Sequence, residues 1–295
     1  MKKFFKINGA LFVIMLAVVM MTTSCKKDEP DPNAGKTDPS TIATANLIAY
    51  FPFEAEPAAG AAVDNSNSMI TFVKKVGAAS FVTARRGKGY QGAATESYLE
   101  YNVAAGTALK TLDEFTMACW IKTPNTTSGA AKIFGLNGGD PNMGNLGLIQ
   151  ESQAVGDSVD LKAFLYDSES PDWKAHDMRK QSDKFLNDKW FHVVSVYRKA
   201  TSELEFYANG KKILTQIRYA GPGSLPTQPL LGSIKLGSDM TKIHFGVWPK
   251  QITGAPDSWM TYFKGIVDEF RLYNKGLSAA EILELYDAEV TQINP

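Results

Sequence analysis

The stretch FKGIVDEFRLYNKGLSAAEILELY, Phe263 to Tyr286, changes character half-way along. Its first half is rich in β-branched and aromatic residues, as a strand requires. Its second half places Ser278 before an apolar run with Glu281 three residues later, which predicts a capping box. Leu277 and Ile282 are spaced as a hydrophobic staple, and Ile282, Leu283, Leu285 and Tyr286 give the helix an apolar face. So short a helix must pack on something larger. Within the strand half, alternation puts Asp268 on the face of Ile266, Phe270 and Leu272, where a buried carboxyl needs backbone amides or a hard cation as partners. The same alternation sends Glu269 to the opposite face beside Arg271, so the two adjacent acids are expected to diverge.

Working outward, short β-like runs alternate with turn signals from residue 47 onward. They read LIAYFPF (47–53), MITFV (69–73), SFVT (80–83), YLEYN (98–102), FTMACWIKT (115–123), AKIFGL (131–136) and LGLIQ (146–150). SVDLKAFLY (158–166), WFHVVSVYR (190–198), ELEFYANGKKIL (203–214), SIKLGS (233–238) and YFKGIVDEFRLY (262–273) follow. Strands of this length and spacing predict an all-β sandwich or barrel, not βαβ units. In ELEFYANGKKIL, Asn209-Gly210 supplies two residues suited to a type I′ hairpin turn. Leu204, Phe206 and Ala208 then share one face; in FTMACWIKT, Phe115, Met117, Cys119 and Ile121 do the same. Cys119 thus reads as a small core residue and not as a nucleophile.

The chain has 295 residues, with 31 basic and 31 acidic side chains, so no basic excess points to nucleic acid. MKKFFK and the apolar run Ala10–Met21 form a signal-peptide pattern, too short for an ordinary membrane span. TTSC, ending at Cys25, resembles the lipobox of a bacterial lipoprotein, with Thr22 where Leu is usual. That resemblance implies a signal peptide over 1–24, a lipidated Cys25 and attachment to the membrane through the N-terminal lipid only. Residues 25–45, rich in Pro, Asp and Thr, read as a disordered tether. Lys27-Asp28-Glu29 is similar to a surface-export signal of Gram-negative lipoproteins, which implies the outer membrane and exposure at the cell surface. The folded domain is expected over 46–290. Without the signal the chain carries 28 basic against 31 acidic residues, and Cys119 is the cysteine left besides Cys25.

VDEFRLYNKGLSAAEILELY resembles the terminal signature of the laminin-G-like, concanavalin A-like superfamily. LIAYFPFE (47–54), GKGYQGAATESYLEY (87–101), DEFTMACWIKT (113–123) and WFHVVSVY with ELEFYANGKKI agree in order. The resemblance implies a two-sheet antiparallel jelly-roll sandwich with a short C-terminal helix. It also implies a structural Ca²⁺ held by a loop after the first strand and an acid near the last, here Asp64, Asn65, Asn67 and Asp268. In VDNSNS (63–68) the glycine of the usual Asp-x-Ser-Gly-Asn pattern is missing, and such clusters also form ordinary turns. Glycosidases of this fold show Glu-x-Asp-x-(x)-Glu along one strand, a run absent here.

The three histidines, His176, His192 and His244, are too scattered for a zinc motif, and His192 reads as a packing residue. The Gly-rich GLNGGDPNMGN (135–145) lacks a strand–loop–helix context and reads as a turn. Two loop regions mix aromatic rings with acids and amides, as sugar binding needs. One is DSESPDWKAHD (167–177), with Asp172, Trp173 and His176; the other runs from Met240 to Tyr262, with His244, Trp248, Asp257 and Trp259. The same tryptophans can instead close the ends of the sandwich. The functional expectation is a non-catalytic surface lipoprotein that binds extracellular glycan. The alternative is a module that binds an outer-membrane or surface protein; a glycosidase or lyase comes last.

Overall fold

The computed structural model describes residues 37–67, 69–138, 143–166, 175–221, 224–236 and 239–291, the side chains of 175–178 and 291 excepted. In chain order the strands begin with β1 (Leu47–Phe51), β2 (Ile70–Gly77), β3 (Ser80–Thr83), β4 (Lys88–Gln91), β5 (Ser97–Val103), β6 (Phe115–Lys122), β7 (Ala130–Asn137) and β8 (Leu146–Gln150). Then come β9 (Ser158–Tyr166), β10 (Ala175–Leu186), β11 (Phe191–Arg198), β12 (Glu203–Ala208), β13 (Lys211–Ile217) and β14 (Lys242–Phe245). Helix α1 (Pro249–Ile252) precedes β15 (Met260–Thr261) and β16 (Ile266–Tyr273), and α2 (Ala279–Thr291) ends the fold.

The strands make two sheets. One has the order β13-β12-β11-β6-β16-β4-β3, with β1 also paired to β16; the other has the order β10-β9-β8-β7-β14-β5-β2. All pairings are antiparallel except that of β15, which adds to β7 in parallel. This is the expected all-β, two-sheet sandwich with a short C-terminal helix. Inward side chains of both sheets form one core, in which Phe134 and Phe270 meet across the layers with ring centroids 4.4 Å apart and Phe245 lies 5.1 Å from Phe270. Each such ring removed from water contributes about 1.5–3 kcal/mol. Cys119 is among them, 1% exposed, and burial raises its thiol pKa well above the ordinary value.

The hairpin and the helix form as their local chemistry dictates. Asn209 and Gly210 take φ of 48° and 77°, and Leu204, Phe206 and Ala208 face the core. Ser278 Oγ accepts from the Glu281 amide at 3.2 Å while Glu281 accepts from the Ser278 amide at 2.8 Å. Ile282, Leu285 and Ala288 then seat α2 on Ala118, Val194, Tyr207 and Tyr273, the outer face of the first sheet.

Several expectations are corrected. Part of the segment read as a tether over 25–45 is ordered: residues 39–41 and 44–46 form single 3₁₀ turns, and Ile42, 4% exposed, joins the α2 layer, while residues 25–36 lie outside the described ones. Pro39 is buried as well, and Asn46 donates to the Asn274 side chain at 3.0 Å, so burial and hydrogen bonds together order the segment. SIKLGS makes no strand over 233–236, although Ile234 and Leu236 enter the core; residues 237–238 lie outside the described ones. Residues 135–137 of the expected Gly-rich turn belong to β7 instead. A further correction concerns Asp268 and Glu269.

Candidate functional site

Strand β16 is served on one edge by two partners in turn. β4 pairs with Ile266 and Val267, β1 pairs with residues 270–273, and the register against β6 slips between Asp268 and Arg271. At that handover Glu269 adopts φ of 53°, the signature of a β-bulge. The extra residue resets the alternation. Val267, Phe270 and Leu272 point into the core, while Asp268 does not share the face of Phe270 and Leu272 as simple alternation requires. The adjacent acids therefore do not diverge: both sit in the layer beneath α2, 0% and 1% exposed.

A third carboxylate, Glu289 of α2, comes down onto the same layer. Arg271, 1% exposed, donates to Glu269 at 2.8 Å and to Glu289, and its guanidinium stacks on Tyr50 at 4.2 Å. Arg86 donates to Glu269 at 2.6 Å, and the Tyr50 hydroxyl donates to it at 2.9 Å. Asp268 accepts from two backbone amides, those of Arg86 and Glu269, each at 2.8 Å. Burial first, then the charge of Glu269, pushes the Asp268 carboxyl up to about 8. Burial likewise pushes Glu289 up to about 7, against the pull of Arg271; Trp120 Nε1 donates to it at 2.8 Å. His192 completes the layer, packed 5.2 Å from Trp120 with Nε2 3.6 Å from Glu289. Burial lowers its pKa to about 3, so the ring is neutral. This network joins α2 to the first sheet.

The amides that occupy both Asp268 oxygens answer the question of its partners. Asp64 and Asn67 are exposed in a turn in which Asn65 and Asn67 take positive φ and Ser66 Oγ donates to the Val63 carbonyl at 2.6 Å. Asp64 presents its backbone carbonyl to the Tyr50 amide at 3.0 Å. Among the described residues no group of three or more His, Cys, Asp and Glu is placed to hold a metal. Asp268 is buried and bonded to backbone amides, whereas Asp64 and Asn67 are exposed in their turn.

The expected binding residues separate. Cys25 and Trp173 lie outside the described residues, and His176 is placed only as a backbone position of β10. His244 is on β14, not in a loop: its Nδ1 accepts from Asn137 at 2.6 Å and its Nε2 lies 3.7 Å from Glu100. Trp248 is 1% exposed, its Nε1 donating to the Ala130 carbonyl at 2.9 Å and its ring packed among Ile149, Phe164 and Met260. Its face is therefore closed to a ligand. Trp259, 42% exposed, meets Trp248 edge-on at 5.1 Å, and Asp257 pairs with Lys250 at 3.1 Å.

Close to Trp259 in sequence, the β6–β7 loop and the β15–β16 connection enclose a groove of about 280 Å³ at one end of the sandwich. Asn125, Thr126, Ser128, Gln150, Thr261 and Tyr262 line it. Gln150 is held by donating to the Pro124 carbonyl at 2.6 Å, and Asn125 by donating to the Gly156 carbonyl at 3.0 Å. Val155, 69% exposed, stands between Ala154, whose amide donates to the Thr126 carbonyl at 3.4 Å, and Gly156. Pro124 and Lys264 are shared with a second groove of about 340 Å³ that also takes in Gln91, Lys122, Asp188 and Ile266. Thr261 and Tyr262 fall at the end of the loop region read from Met240 to Tyr262; the sequence reading missed the others, for which the local signal was PNTTS (124–128), a cluster of amide and hydroxyl side chains directly after a strand.

A family model described as the Concanavalin A-like lectin/glucanases superfamily, of the laminin-G group, matches residues 94–283. Among curated proteins, none matches this sequence. In shape the chain is similar to the binding domain of Paraclostridial Mosquitocidal Protein 1, with TM-score 0.56, 16% identity, and 82% of this chain and 52% of that one covered. It is similar to the binding domain of botulinum neurotoxin DC in complex with SialylT (TM-score 0.55, 13% identity, 84% and 52% covered). The same binding domain in complex with rat synaptotagmin II gives TM-score 0.52 and 13% identity, with 81% and 52% covered. The chain thus spans about half the length of these structures, and at such identities the likeness is one of fold. With more than half of its length matched by the family model, the chain belongs to the concanavalin A-like lectin/glucanase superfamily, in its laminin-G-like branch.

Proposed function

We propose that this domain is a non-catalytic adhesion module that holds a surface protein at the rim groove. The observation that carries the reading is the rim itself: Trp259, two residues before Thr261, and Val155, next to Ala154 whose amide bonds Thr126, are 42% and 69% exposed, and Thr126 and Thr261 line a groove of amide and hydroxyl groups. An aromatic anchor beside polar contacts is how protein interfaces concentrate their energy. Trp259 is braced on the edge of buried Trp248, so it loses little freedom on binding. A solved domain of similar fold is in complex with synaptotagmin II. Catalysis is not part of the reading, because Asp268, Glu269 and Glu289 are sealed beneath α2 and bonded to Arg86, Arg271, Trp120 and backbone amides. A glycosidase needs two carboxyls open to one groove.

The signal pattern, the lipobox-like TTSC and the charged residues after Cys25 support presentation on a lipid anchor at the outer membrane. Loss of fatty-acid labelling in Cys25→Ser would support the anchor; persistent labelling would remove it. A photo-crosslinker at Val155 tests the module: one discrete surface-protein adduct, abolished by Trp259→Ala, is the expected result. Adducts indifferent to Trp259 would overturn it.

The second reading is glycan binding, favoured by the hydroxyl- and amide-rich lining with Tyr262 at its side. A solved domain of this fold is in complex with SialylT. Retardation in polysaccharide affinity gels, lost in Trp259→Ala or Tyr262→Ala, would select it. A Ca²⁺ at Asp64, Asn67 and Asp268 is not needed by either reading, and calorimetry with Ca²⁺ alone decides whether any binds.

A further inference from the structure

We infer that the second groove, between the ends of β4, β16 and β6, seats an acidic peptide segment of the partner, with Lys122 and Lys264 as its two cationic contacts. The inference rests on the adhesion reading and names the chemistry of its ligand. Ile266 pairs with Gln91 on one side and Lys122 on the other, so three strands present these side chains abreast. Lys264, two residues before Ile266, closes the groove of about 340 Å³ with Lys122. Two lysines thus line one concavity together with a single acidic residue, exposed Asp188.

Several other lysines are paired with a carboxylate of this protein. Lys75 pairs with Glu56 at 2.7 Å, Lys199 with Asp113 at 2.6 Å, Lys212 with Glu205 at 2.8 Å, and Lys275 with Glu281 at 2.6 Å. Among the described residues, neither the Lys122 nor the Lys264 ammonium has a hydrogen-bond or ion-pair partner. Like charges in one concavity repel unless an anion enters, and a carboxylate there gains from both. The lining favours peptide over sugar. No aromatic ring lines this groove, so a sugar has no face to stack on, whereas Ile266 and Pro124 offer apolar contact and the Gln91 amide can bond a main chain.

The test uses the mature full-length chain and fluorescein-labelled decaglutamate, followed by anisotropy. Binding is expected, weakening as salt rises from about 0.15 M to about 1 M. The double variant Lys122→Ala/Lys264→Ala should weaken it about tenfold, equivalent to about 1.4 kcal/mol. Lys110→Ala/Lys211→Ala, with the same charge change away from the groove, should leave it unchanged. Equal losses in both double variants, or no binding at low salt, would overturn the inference. Binding of polygalacturonate at the two lysines without binding of decaglutamate would overturn it in favour of acidic sugar. If Trp259→Ala abolishes the Val155 adduct while Lys122→Ala/Lys264→Ala leaves both the adduct and decaglutamate binding intact, the adhesion reading stands and the acidic seat falls.

Discussion

Replacing Arg271 by Met isolates what the bulged layer does for the fold. Arg271 is 1% exposed and bridges Glu269 and Glu289 while stacking on Tyr50. In Arg271→Met, Glu269 keeps Arg86 at 2.6 Å and the Tyr50 hydroxyl at 2.9 Å. Glu289 keeps only the Trp120 indole N–H as a donor at 2.8 Å, with a neutral His192 beside it. Removing one partner of a buried ion pair costs about 3–5 kcal/mol. For a domain of this size that corresponds to a fall in Tm of about 6–20 °C.

The loss has a pH signature. The folded-state pKa of Glu289 is raised from 4.5 to about 7, so between those values the native state binds the extra proton and stability falls as pH rises. Without Arg271 the native carboxyl holds its proton more tightly still. The penalty should therefore be largest near pH 8 and less than half as large near pH 5. Urea unfolding at both pH values measures it. Arg271→Met/Glu289→Gln keeps an acceptor for Trp120 and should recover most of the loss. A single variant within about 1 kcal/mol of wild type near pH 8, or a penalty indifferent to pH, would refute the reasoning.

Ser278→Ala removes the acceptor for the Glu281 amide and should lower stability by about 1 kcal/mol in denaturant unfolding. His192 is held neutral with its pKa lowered from 6.5 to about 3, so its contribution is full above pH 6.5 and is lost as pH falls through that window. In His192→Phe the stability curve should be flatter over that range, and an unchanged slope would count against a buried neutral ring. Trp248→Ala should cost about 3–5 kcal/mol, because it empties the layer over Ile149 and Phe164. Trp259→Ala should leave Tm within about 2 °C of wild type, as an exposed position allows, while abolishing partner binding.

The amino-acid sequence by itself determined the parts whose cause is local. Alternation placed Phe115, Met117, Cys119 and Ile121 on the core face, Asn209-Gly210 turned the hairpin, and Ser278 with Glu281 started α2, because each needs only a few neighbouring residues. Runs that are short or largely polar escaped it. β14 has Lys242 and His244 on its polar face, and β10 is an edge strand spelled AHDMRKQSDKFL, so neither looks apolar enough to be a strand. Tertiary structure alone decided the fate of Asp268 and Glu269. The alternation breaks where β16 exchanges β4 for β1 along one edge, and a change of distant partner leaves no mark in the local run. The same holds for Trp248 and Trp259, chemically alike and eleven positions apart, one made a floor and the other a surface. It holds again for Lys122 and Lys264, which share a groove only because β6 and β16 lie side by side.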